Sequence, residues 1–307
     1  MPYRMAILPP AKFQSPFKAP RPYDLQDYRF VALIPSRHPP PQKRGGCTML
    51  REKALRSGLK TRFFGTKIYT FDTIDSTNNC AKAVAGCGAA EGTVVFAEQQ
   101  TSGRGRLGRV WVANPNENLT FSLILRPRIP PEQMNVLPFY VAVAVAQAVE
   151  QSTGLEVECK WPNDLMIHGR KFAGILIEGS VKQNAIEHVV VGIGINVNQA
   201  QFPQDLSASA TSLRLETRRE IDRTLVFRET LSSLEYHYTK ISSDGLDFVL
   251  PQWLRRASML NKPVSVLQQG ETITGIMKGV SPDGGLVVVS NGTERVLASP
   301  EATILRT

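Results

Sequence analysis

The alternation of apolar and polar positions over Lys67-Ile68-Tyr69-Thr70-Phe71 predicts a half-buried strand, with ordered structure beginning near Phe63. Asp75-Ser76-Thr77 then offer N-cap side chains for a helix running through Ala85 and stopping at Gly86. Val94–Ala97 and Leu119–Leu125 are apolar runs of strand length, with a Gly/Arg-rich loop between them. Pro131–Ser152, rich in Ala and Val, predicts one long helix. Val157–Trp161, Leu165–Ile167, Phe172–Glu178 and His188–Ile195 predict further strands, with His168-Gly169 turning a hairpin. Helices are expected over Arg223–Ile241 and Asp244–Arg256.

After Asn261 the pattern shortens to β-runs at Val264–Leu267, Thr272–Met277, Leu286–Val289 and Glu294–Leu297. Turn signals at Gln269-Gly270, Pro282–Gly285 and Asn291-Gly292 separate them. The pattern predicts an α+β domain over 63–258, followed by a small β-barrel over 259–307. Residues 1–62 differ in texture: proline recurs from Pro2 to Pro41, a composition of extended, solvated chain. Three readings fit this stretch: a disordered tail, an over-extended start with Met49 as the initiator, or a targeting segment. Sparse serine together with Asp24 and Asp27 places targeting last.

Charge sharpens that division. The net charge of +9 suggests a nucleic-acid partner until it is located. Residues 1–62 hold 13 Lys or Arg against 3 acids, leaving 23 basic and 24 acidic residues in 63–307. The folded part is therefore near neutral, and no specific DNA binding is expected of it. No apolar run approaches the roughly 18 residues of a membrane span. Cys47, Cys80, Cys87 and Cys159 form no C-x-x-C pair, and His38, His168, His188 and His237 are dispersed. Reduced thiols in a cytoplasmic protein account for this better than zinc does.

Three segments carry candidate chemistry. Gly103-Arg104-Gly105-Arg106-Leu107-Gly108-Arg109, followed by Trp111, joins backbone freedom to permanently charged guanidinium forks. Such a loop suits a lid over an anion, although a solvated basic turn or an RNA-binding segment has the same composition. Lys160-Trp161-Pro162-Asn163-Asp164 and Arg170-Lys171-Phe172-Ala173-Gly174-Ile175 make poor core strands, and Lys171 opens an apolar run where it calls for an anionic partner. The bland alternative is an exposed hairpin with incidental charges. Gly192-Ile193-Gly194-Ile195-Asn196-Val197-Asn198 lacks the third glycine of a dinucleotide fingerprint, and no G-x-x-x-x-G-K-[ST] loop occurs.

Taken in order, Ser76-Thr77-Asn78, Gln100, G-R-G-R-x-G-R with Trp111, K-W-P-N-D, K-F-A-G-I and G-I-N-V resemble the catalytic domain of biotin–protein ligases across residues 66–198. The proline-rich start cannot supply the winged-helix DNA-binding domain of bifunctional members, so the resemblance is to the monofunctional type. It implies a class II synthetase-like mixed or antiparallel sheet with flanking helices and an SH3-like C-terminal barrel. It also implies a reaction in which ATP and biotin, with Mg2+, give biotinyl-AMP, and the biotinyl group passes to a lysine of a biotin carboxyl carrier protein. A homodimer through a sheet edge is compatible with it.

By the same resemblance, Lys171, Arg106 and Asp164 are catalytic, and Ser76, Thr77, Gln100, Gly103, Arg104, Arg106, Lys171, Gly174 and Ile175 hold biotin. Arg106, Arg109, Trp111, Lys160, Asn163, Lys171 and Asn196 meet the nucleotide. Asp164 has two open roles, holding Mg2+ or orienting the incoming lysine. Ser76 has the simpler alternative of an N-cap, and Trp111 that of plain core. A lipoate or octanoate ligase shares the fold class, but the Gly/Arg loop and the K-W-P-N-D run favour biotin. A nucleic-acid-binding protein and a non-catalytic biotin-responsive module are the alternatives from other classes.

Overall fold

The computed structural model describes residues 49–298 and 302–304. Their apolar runs pair into a seven-stranded sheet built from β1 (Ile68–Ile74), β2 (Val94–Gln100), β3 (Leu119–Leu125), β4 (Glu158–Lys160), β5 (Asp164–Ile167), β6 (Arg170–Lys182) and β7 (Ala185–Ile195). The spatial order is β1-β2-β3-β7-β6-β5-β4. Only the β1–β2 pair of this sheet is parallel, so the sheet is mixed, as expected. The core strands β2, β3 and β7 are largely buried, which is why they read as continuous apolar runs.

Helix α1 (Glu52–Arg56) precedes the sheet, and α2 (Thr77–Gly86) packs on β2, β3 and β7. Pro131–Val136 forms a 3₁₀ segment, and the α-helical part, α3, is Leu137–Thr153. The single long helix expected here is therefore two pieces. Most of α3 is buried, in keeping with its Ala/Val composition, and Gly154 ends it at φ +75°. A short helix, α4 (Leu213–Thr217), leads to α5 (Arg223–Asp244), which starts where Asp222 accepts hydrogen bonds from the Thr224 and Leu225 amides. Gly245, at φ +73°, stops α5, and α6 is only Val249–Leu254, shorter than the Asp244–Arg256 expected.

Residues 49–62 correct the expected start. Leu50 and Leu55 are buried, and the Leu50 amide donates to Glu98. The amides of Arg62, Phe63 and Phe64 all donate to the Glu235 carboxylate at 2.6–2.8 Å. Order thus reaches back at least to Met49, because Leu50 and Leu55 in a charge-rich stretch find a core that composition alone did not reveal. The readings made for residues 1–48 lie outside the described residues.

The C-terminal sheet contains the four expected strands, β8 (Pro263–Gln268), β9 (Glu271–Val280), β10 (Leu286–Ser290) and β11 (Thr293–Leu297). A fifth, β12 (Ala302–Ile304), pairs with β8, giving the antiparallel order β11-β10-β9-β8-β12. Two links tie it to the K-W-P-N-D segment. Residues 256–258 extend the large sheet beside β4 through Cys159–Arg256 and Ser258–Cys159 backbone bonds of 2.7 and 3.0 Å. Trp161 Nε1 donates to the Gly284 carbonyl at 3.2 Å.

Candidate active site

A cavity of about 1000 Å³ opens where β5, β6 and β7 meet the 103–112 loop, segment 199–211 and the start of the C-terminal sheet. Every site residue expected from the sequence lines it except Gly103. Gly103 instead lets backbone approach backbone: a Cβ there would lie 2.5 Å from the Trp111 carbonyl, and its own carbonyl accepts from the Trp111 amide.

One end of the cavity is neutral and hydrogen-bonding. Ser76 occupies the N-cap position of α2, yet its hydroxyl makes no capping bond. The first turn is satisfied from β2 instead, because the Thr77 amide donates to Gln100 Oε1 at 2.7 Å. Thr77 Oγ1 lies 3.1 Å from the same oxygen. Ser122 Oγ lies 2.8 Å from Thr77 Oγ1 and 2.6 Å from Asn78 Oδ1. Ser122 was not singled out by sequence reasoning, since one serine inside an apolar strand carries no pattern. Asn78 continues the network through Nδ2 to Glu178 Oε2 at 2.8 Å.

The glycines of the G-I-G run now have physical reasons unrelated to dinucleotides. A Cβ on Gly192 would stand 2.3 Å from Asn78 Oδ1. Gly194 faces Gly174 across β6 and β7, and a Cβ on Gly194 would meet Trp111 Cε2 at 2.4 Å. The glycine pair is therefore a flat seat for the indole. Trp111 Nε1 and Asn196 Oδ1 are buried without hydrogen-bond partners among the described residues. Asn196 is held by its other side-chain atom, Nδ2, on the Thr211 carbonyl at 3.1 Å.

The other end is cationic. Lys171 Nζ lies 2.5 Å from Asp164 Oδ1 and 5.5 Å from the centre of the Trp111 ring. Asp164 and Lys171 come from adjacent strands of one hairpin, so the turn at His168-Gly169 brings them together. Segment 199–212, which showed no sequence signal, secures Lys171 from outside. The Lys171 amide donates to the Ser209 carbonyl and the Thr211 amide to the Lys171 carbonyl, both at 2.9 Å. Glu216 clamps the hairpin, accepting from Arg170 at 2.6 Å and lying 2.8 Å from His168 Nδ1. Asn163 braces it from within, donating from Nδ2 to the Ile175 carbonyl at 2.5 Å.

In the Gly/Arg loop, Arg106 reaches the C-terminal sheet, with Nη2 3.4 Å from the Ala302 carbonyl. Burial lowers its pKa, Asp164 opposes that and Arg109 reinforces it, and the guanidinium stays cationic. Arg104 turns toward the neutral end, donating from Nη2 to Asn79 Oδ1 at 2.8 Å and to Glu178 Oε2 at 2.9 Å. Burial alone would raise the Glu178 carboxyl. Hydrogen bonds from Lys82 and Asn78, with the charges of Lys82 and Arg104, hold it below the ordinary carboxylate value instead.

Residues 70–196 match the biotin/lipoate A/B protein ligase family, and residues 259–299 match the biotin protein ligase C-terminal domain. The bifunctional ligase/repressor of Bacillus subtilis is 36% identical over 79% of this chain and 75% of its own length. The chain belongs to the biotin–protein ligase family. A biotin–[acetyl-CoA-carboxylase] ligase of Paracoccus denitrificans is 30% identical, the match covering 74% of this chain and 96% of that relative. Among solved structures, the biotin protein ligase of Aquifex aeolicus in complex with biotin and ATP superposes with a TM-score of 0.69. That match is 28% identical over 79% of this chain and all of the other. The family fold accounts for the mixed sheet and the small C-terminal β-domain. Among the described residues, no helix is long and apolar enough to cross a membrane.

Proposed function

We propose that this chain activates biotin with MgATP to biotinyl-5′-AMP and pyrophosphate, then transfers the biotinyl group to a lysine of a biotin carboxyl carrier protein. The observation carrying this reading is one cavity with two unlike ends: neutral hydrogen-bonding groups at one, Lys171 with Arg106 and Arg109 at the other. Biotin matches the first end through its ureido ring, a neutral group whose donors and acceptor need partners when buried. Ser76, Thr77 and Gln100 supply them, with Gly174 and Ile175 on the apolar side.

In the first step a biotin carboxylate oxygen attacks the α-phosphorus and the bond to pyrophosphate breaks. Two anions must approach, and the positive groups of Lys171 and Arg106 offset their repulsion as charge concentrates. Asp164 orients Lys171 through Oδ1 and would be the carboxylate that holds the magnesium travelling with the triphosphate. Mg2+ enters in this reading as part of the substrate, carried on the phosphates of ATP. Trp111 Nε1, Asn163, Lys160 and the open Oδ1 of Asn196 face the nucleotide. In the second step the acceptor amine attacks the carbonyl carbon, AMP leaves, and the amine loses a proton. The 103–112 loop shields the anhydride from water between the two steps.

Cys80, Cys87 and Cys159 are free thiols, in keeping with a cytoplasmic enzyme. A homodimer through a sheet edge would use β1, since residues 256–258 occupy the edge beside β4. The test is incubation with biotin, ATP and Mg2+, with mass spectrometry for biotinyl-AMP. Pyrophosphate exchange driven by lipoate and not by biotin would reverse the assignment.

A further inference from the structure

Glu178, on β6, gathers groups from two other elements onto one carboxylate. From α2, Asn78 Nδ2 donates to Oε2 at 2.8 Å and Lys82 Nζ to Oε1 at 2.9 Å. From the Gly/Arg loop, Arg104 Nη2 reaches Oε2 at 2.9 Å and Oε1 at 3.2 Å, while Asn79 Oδ1 accepts from the same nitrogen. Lys82 alone would balance the Glu178 charge, so ion-pairing within the fold does not require Arg104. Asn78, in turn, is bonded through Ser122 to Thr77 and Gln100, the pair facing the ureido end. One carboxylate therefore anchors both the neutral recognition cluster and the loop that closes over it.

We propose that Glu178 is a positioning residue that couples biotin recognition to closure of the 103–112 loop, with Arg104 as the loop's latch and not chiefly a ligand of biotin or phosphate. This deepens the ligase reading and rests on it for the identity of the ligand. The latch is suitably weak. Arg104 is 40% and Glu178 24% exposed, and ion pairs this open are modest enough to release when the acceptor lysine must enter. Fixed to one anchor, the loop and the recognition cluster lose their geometry together when the carboxylate is lost.

The test compares wild type, Glu178→Gln, Arg104→Gln and the double variant in the full chain. The first readout is limited trypsin cleavage after Arg106 and Arg109, followed by mass spectrometry without ligand and with biotin plus MgATP. The second is kcat and KM for biotin. Each single variant is expected to speed loop cleavage about tenfold, the double variant no further, because both remove one shared contact. Glu178→Gln is also expected to raise KM for biotin about tenfold with kcat changed less than threefold, a split that general loss of structure would not give. Arg104→Lys, which keeps a donor at the latch, should recover part of the protection. Additive effects in the double variant, or cleavage and KM at wild-type values in Glu178→Gln, would overturn the proposal. Absence of biotinyl-AMP from the wild-type enzyme would sink the ligase reading instead, and the ligand-free cleavage rates would still judge the latch.

Discussion

Two carboxylate–cation pairs in this molecule look alike in sequence and differ in what surrounds them. Glu98 on β2 and Arg223 at the start of α5 are 2% and 5% exposed, with Nη1 and Nη2 of the arginine at 2.7 and 3.2 Å from the carboxylate. The Leu50 amide also donates to Glu98, and Arg223 reaches the Asn118 carbonyl. Asp164 and Lys171 are 24% and 33% exposed, and they open onto the cavity. An enclosed pair whose hydrogen bonds are all made has nothing to exchange and serves architecture. A half-open pair can take a substrate phosphate onto the same lysine while the carboxylate orients it. The two pairs thus differ most in burial.

The largest expected effect tests the open pair. Lys171→Ala should slow biotinyl-AMP formation in a single turnover by about a thousandfold or more, roughly 4 kcal/mol of barrier. Its Tm should stay within a few degrees of wild type; equal losses of rate and stability would mean that Lys171 is a strut as well. The enclosed pair should behave in the opposite way. Glu98→Ala strands a buried guanidinium and should lower unfolding stability by about 3–5 kcal/mol in urea titration. A loss below about 1 kcal/mol would erase the distinction.

Gly194→Ala tests the indole seat between these extremes. The added methyl, 2.4 Å from Trp111 Cε2, must push the ring off the sheet. KM for ATP is expected to rise about tenfold or more, with about 1–3 kcal/mol of stability lost to overpacking. Arg106→Ser removes the loop's reach to the Ala302 carbonyl and is expected to release adenylate roughly tenfold faster, read as biotinylation of a bystander protein. Unchanged selectivity for the carrier would count against the lid.

The smallest effect concerns a buried base. His237, 2.7 Å from Gln147 Oε1, is pushed down to about 4 from 6.5, by burial first and then by the charges of Lys240 and Arg256. A depressed folded-state value means that the native protein holds fewer protons than the unfolded chain between those pH values. Stability is thus full above about pH 6.5 and falls as pH drops toward 4. His237→Gln should flatten that slope in Tm measurements, a shift of roughly a few degrees. An unchanged slope would place the acid sensitivity elsewhere.

Sequence reading found the elements whose signal is local. The β2, β3 and β7 runs are apolar because both faces are covered, and α3 is Ala/Val-rich for the same reason. The chemistry-bearing motifs were legible because charge, glycine and proline cluster in them against expectation for core strands. Residues whose roles depend on a distant partner were not. Ser122, Glu178 and Glu216 are ordinary members of ordinary elements until Thr77, Arg104 and Arg170 arrive beside them. Segment 199–212 carries no periodicity, yet it bonds the backbone on both sides of Lys171.

By itself, then, the amino-acid order determined the central strands and the longer helices and which chemical groups the chain holds in reserve, because hydrophobic period and side-chain chemistry act over a few residues. Tertiary structure alone decided that Ser209 and Thr211 bracket Lys171, that Arg104 meets Glu178, and that Leu50 and Leu55 are core. These outcomes depend on through-space distance and loss of solvent, and neither quantity exists until strands far apart in the chain lie side by side.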